Sequence, residues 1–106
     1  MTQIQRGSTN VYADLGMADA EEMLVKAQLA TKIGEIVKQR KLTQAQAAEL
    51  LGIPQPKLSN LLRGQFRGIS ETKMIDCLTR LGRNVDIVVK TASRSKAAGR
   101  VSVVFA

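Results

Sequence analysis

The chain has no histidine and no tryptophan, and among its 106 residues it has one cysteine and two prolines. Each shortage excludes something. Without histidine there is no Ser-His or Cys-His nucleophile system. Metal-ligand spacing and glycine-rich phosphate loops are also missing. A single cysteine, Cys77, leaves no internal disulfide, which fits a reducing compartment. No apolar run approaches the roughly 20 residues of a membrane span. The opening "MTQIQRGSTN" lacks an apolar signal core, so a cytoplasmic location is expected. Glu21 and Glu22 stand side by side, but in the first turn of a helix, where capping explains them. Neither an enzyme nor a cofactor or metal ion is expected.

What is present is positive charge, unevenly spread. The formal net charge is +7. Residues 1–53 carry six basic and six acidic side chains, and residues 54–106 carry ten basic and three acidic. The whole excess lies in the second half, and a polyanion such as nucleic acid complements such a surface. The plainer reading, that the charge only keeps the chain soluble, is equally open on composition alone.

A chain of this length is expected to form one small domain whose core is marginal alone, so that a dimer would help. Residues 1–18 show no sustained period and read as an arm. Asp19 and Glu22 form a capping-box pattern that opens a helix running to about Arg40. Its apolar face is Ala20, Met23, Leu24, Ala27, Ala30, Ile33, Gly34 and Val37. Thr43-Gln-Ala-Gln46 opens a second helix, which Gly52 ends. Pro54 and Pro56 suit the cap and first turn of a third helix, from about Gln55 to Arg63. Ser70 caps a fourth, with Met74, Ile75, Leu78 and Leu81 inside. Val85, Ile87 and Val89 alternate, which predicts a strand over Asn84–Lys90. A flexible basic linker follows, then "VSVVF", either a second strand or a segment that orders only on a partner.

The expected fold is therefore mainly α, a bundle of four to five helices followed by a short strand. Residues 19–90 form the domain, the strand 84–90 included, and residues 91–106 form the linker and tail.

The second and third helices, joined by a tight turn at Gly52-Ile53, make a helix-turn-helix. Ile53, Leu58, Leu61 and Leu62 pin the third helix inward, and small Ala47 or Ala48 permits a close crossing. Gln55, Lys57, Ser59, Asn60 and Arg63 remain outside, able to bond base edges and phosphates in a major groove. Gln and Asn suit adenine, and Lys suits guanine or phosphate. Thr43 and Gln44 open the second helix, where free N–H groups favour phosphate. Cys77, Met23 and Met74 read as packing residues.

Leu42-Thr43-Gln44, then Ala48, Gly52-Ile53, Leu58-Ser59 and Gly64, are spaced as in the XRE family of phage-repressor and Cro-like regulators, which this stretch resembles. The resemblance implies that Gln44, Gln55, Pro56, Lys57, Ser59 and Asn60 face DNA, with Arg63 near a phosphate. Pro56 departs from the usual small polar residue and suits apolar contact with a thymine methyl. "VYADLGMADAEEML", "LLRGQFRGIS" and "LGRNVDIVVK" further resemble the HigA-type antitoxin branch, whose members neighbour toxins similar to the RelE and HigB ribonucleases. In that branch the strand after the last helix pairs with its twofold mate.

A lone strand leaves backbone donors and acceptors unpaired. Antiparallel pairing with a second copy through Val85, Ile87, Val88 and Val89 would satisfy them and present two recognition helices. Set about 34 Å apart, these would read a palindrome in successive grooves of double-stranded DNA. The leading expectation is a sequence-specific transcriptional regulator, an autorepressor, acting as a homodimer. The alternative is an antitoxin that neutralises a ribonuclease by direct contact, alone or in addition. An acidic stretch over residues 9–25, or a strand added by "VSVVF", would make that contact.

Overall fold

Among the described residues four helices follow one another: α1 (Ala20–Gln39), α2 (Gln44–Leu51), α3 (Gln55–Leu62) and α4 (Glu71–Arg80). The structure is a computed structural model that describes residues 20–92 and 99–106. The arm over residues 1–18, the Asp19 cap and most of the basic linker lie outside the described residues. The chain divides into two units, Lys26–Val85 and a second comprising Met1–Val25 with Asp86–Ala106.

Local chemistry starts and stops these helices. At α2, Thr43 Oγ1 accepts from the Gln46 backbone N–H at 3.1 Å, and the Thr43 N–H donates to Gln46 Oε1 at 2.9 Å. This is the reciprocal cap the sequence predicts. Ser70 Oγ accepts from the Lys73 N–H at 3.1 Å and caps α4. Pro54 is the cap of α3 and Pro56 lies in its first turn, where a missing N–H costs nothing.

All four helices end in the same way. A residue with positive φ is followed by an N–H that reaches back to a carbonyl in the last turn, the Schellman arrangement. The reaching pairs are Leu42 to Val37, Ile53 to Ala48, Gln65 to Asn60 and Arg83 to Leu78. Glycine supplies the left-handed residue at 52, 64 and 82, whereas at α1 it is Lys41, with φ 56°. A side chain there is strained, because Cβ crowds its own backbone.

In the Lys26–Val85 unit the core is Leu29, Ala30, Ile33, Ile36 and Val37 of α1, Ala47, Ala48 and Leu51 of α2, Ile53, Leu58 and Leu61 around α3, and Met74, Cys77, Leu78 and Leu81 around α4. Two details differ from the predicted stripes. On α1, Leu29 and Ile36 are also buried, because the helix packs over more than one stripe. On α4, fully buried Cys77 takes the place expected for Ile75, which is half-buried. Positions 74, 77, 78 and 81 follow the i, i+3, i+4, i+7 spacing of a helix face, and position 75 falls off it. Leu62 is half-buried rather than a full anchor.

The strand expected over Asn84–Lys90 is not formed, and no strand occurs among the described residues. Residues 84–92 and 99–106 have no regular structure. The alternation is real, but a strand exists only through ladder hydrogen bonds to a neighbour, and no described segment of this chain supplies one.

Candidate nucleic-acid interface

The turn between α2 and α3 sets the direction of α3, and α4 holds that turn by charge. Lys73, Asp76 and Arg80 are spaced i, i+3, i+7 along α4. Asp76 Oδ2 accepts from Arg80 Nε at 2.9 Å and from Lys73 Nζ at 3.3 Å. The two cations then cap the open end of α2. Arg80 Nη1 donates to the Leu50 carbonyl at 3.5 Å, and Lys73 Nζ donates to the Leu51 carbonyl at 3.4 Å. Such carbonyls lack an intrahelical partner and carry the negative end of the helix dipole. The hydrogen bond from Arg80, then that from Lys73, hold the Asp76 carboxyl below the usual carboxylate range.

Gly52 completes the turn. Its φ is +69°, and a Cβ there would stand 3.3 Å from Arg80 Nη1. The backbone conformation favours glycine, while the guanidinium lying over it would need to give by only a few tenths of an ångström to admit a Cβ. A similar cap closes α4, where Arg40 Nη1 donates to the Leu81 carbonyl at 3.4 Å. Lys26, almost wholly buried, donates from Nζ to the Arg67 carbonyl at 2.9 Å and anchors the loop after α3, whose Phe66 and Ile69 are buried.

Pinned by Leu58 and Leu61, α3 turns its polar side outward. Gln55, Pro56, Lys57 and Arg63 are exposed, and Ser59 and Asn60 are half-buried. Pro56, Asn60 and Arg63, spaced i, i+4, i+7, form one row along the helix. The structure joins three of these residues. Arg63 Nη1 donates to Ser59 Oγ at 2.8 Å, and Arg63 Nη2 donates to Asn60 Oδ1. Thr43 and Gln44 are exposed at the start of α2. The residues expected to pair two copies lie elsewhere in the chain. Val85 is half-buried, whereas Ile87, Val88 and Val89 are 77%, 78% and 91% exposed.

The bracket of Lys73, Asp76 and Arg80, the Arg40 cap and the Lys26 anchor did not emerge from the sequence. Charges three and four apart along α4 are the only local signal of that row, and its target at the end of α2 is tertiary. Burial pushes the Cys77 thiol up, away from the reactive thiolate. Among the described residues no group of acidic, cysteine or histidine side chains is arranged to hold a metal ion, and no helix is long and apolar enough to cross a membrane.

Comparison with known proteins agrees with this geometry. A family model for a helix-turn-helix domain matches residues 11–90. A solved structure of a protein described as an XRE-family transcriptional regulator is 41% identical, with a TM-score of 0.76. The match covers 83% of this chain and 99% of that one. Among curated proteins no match is found. With the turn, its caps and the outward edge of α3 in place, the chain belongs to the XRE-type helix-turn-helix family.

Proposed function

We propose that this protein is a sequence-specific DNA-binding transcriptional regulator, repressing from a palindromic operator as a homodimer. One observation carries the reading. The edge of α3 bearing Gln55, Lys57, Ser59, Asn60 and Arg63 is open, on a helix held from behind by the fully buried Leu58 and Leu61. Thr43 and Gln44 would meet the phosphate backbone at the start of α2. The uneven charge and the family membership support the same reading.

Pairing of two copies through Asn84–Lys90 accounts for the exposure of Ile87, Val88 and Val89. Fluorescence anisotropy with DNA from the region upstream of its own gene tests the function. The expected result is a specific complex whose affinity falls steeply with salt. Equal binding to scrambled DNA would defeat the proposal.

A second reading, neutralisation of a ribonuclease toxin, draws on a narrower observation. Val101 and Val104 are 71% and 69% exposed in a tail without regular structure, whose apolar side chains would suit adding a strand to another protein's sheet. Co-purification with the product of the adjacent gene, lost when residues 101–106 are removed, is its expected result.

A further inference from the structure

The bonds within the outer row of α3 restrict what that row can read. A guanidinium has only donors. Asn60 must therefore turn its carboxamide oxygen toward Arg63, and its amino group faces away. Ser59 likewise gives its oxygen to Arg63 and keeps its hydroxyl hydrogen. Lys57 and the remaining N–H groups of Arg63 add further donors. Apart from Gln55, whose amide offers both a donor and an acceptor, the polar side chains of this edge thus present donors.

In the major groove, adenine offers an acceptor, N7, beside a donor, the N6 amino group. The usual asparagine–adenine pair needs the amide oxygen and the amide nitrogen together. Here the remaining lone pair of Asn60 Oδ1 lies beside a cation, which repels the amino hydrogens of adenine. Guanine offers two acceptors, O6 and N7, which suit donors alone.

We propose that Arg63 is a specificity-determining residue that acts through Asn60, turning an asparagine otherwise suited to adenine into a reader of guanine. This rests on the DNA-binding reading and goes beyond it by naming a base and the residue that selects it. It also departs from the expectation, drawn from residue type alone, that Asn60 suits adenine.

The test is selection of binding sites from randomised duplex DNA by the full-length protein and by the Asn60→Ala and Arg63→Met variants, with circular dichroism confirming that each is folded. Asn60→Ala identifies the base pair that Asn60 reads, as the one position per half-site where preference is lost. There the wild type should favour guanine over adenine on the order of tenfold. Arg63→Met frees the carboxamide and should reverse the preference at that position while leaving the others in place. Two results would overturn the proposal: adenine selected there by the wild type, or guanine still selected by Arg63→Met, which would limit Arg63 to phosphate contact. Enrichment of no sequence by the wild type would instead remove the DNA-binding reading and this proposal with it.

Discussion

The stretch from Lys26 to Val85 and the residues after it put their apolar side chains to opposite ends. In the first, Ile33, Leu51, Leu58, Met74 and Cys77 are sealed from water, and the C-terminal end of each helix has an identified closing bond. In the second, Ile87, Val88, Val89, Val101 and Val104 stand in solvent on backbone without regular structure. The first region satisfies its hydrogen bonds within a few residues or against its own helices. The second has the pattern of a strand but no described partner for its backbone. Helices complete themselves, whereas strands must be completed by something else.

The comparison breaks most readily in its buried half. Leu58→Ala removes a side chain with no exposure, at the point where α3 is pinned. It should cost about 3 kcal/mol in urea denaturation, and a loss below about 1 kcal/mol would mean that α3 is held from elsewhere. In the exposed half, Ile87→Asp should leave the helical circular dichroism unchanged and weaken the proposed pairing of two copies at least about tenfold by analytical ultracentrifugation. An unaltered dimer would move the interface away from residues 84–90. The smallest effect should appear at Lys41, which among the described residues closes a helix end without glycine. Lys41→Gly relieves the left-handed strain and should raise stability by about 0.5–1 kcal/mol, seen as a higher Tm.

Legibility in the sequence follows the same division. The Thr43–Gln46 box, the Ser70 cap and the Gly52 stop each rest on residues within a few positions of one another, so the four helices could be placed from the sequence. The outward set on α3 was legible because the apolar spacing of Leu58 and Leu61 leaves the other positions outside. The row of Lys73, Asp76 and Arg80 was visible only as charges three and four apart, since the carbonyls it caps belong to a helix more than twenty residues earlier. The substitution of Cys77 for Ile75 in the core turned on rotational phase, which hydrophobicity alone ranks wrongly. The strand failed for a different reason. Alternation states which sides of a segment would face apart, not whether a neighbour exists to hold it extended.

The complete burial of Cys77 has a practical consequence. With the native thiol sealed in the core and held protonated, and no other cysteine in the chain, a maleimide dye should find nothing to modify in the folded protein. A thiol introduced at exposed Glu49 would then be the sole attachment point. Fluorophores placed there on two copies would measure their separation by energy transfer, with and without a duplex, while the interior stays unaltered.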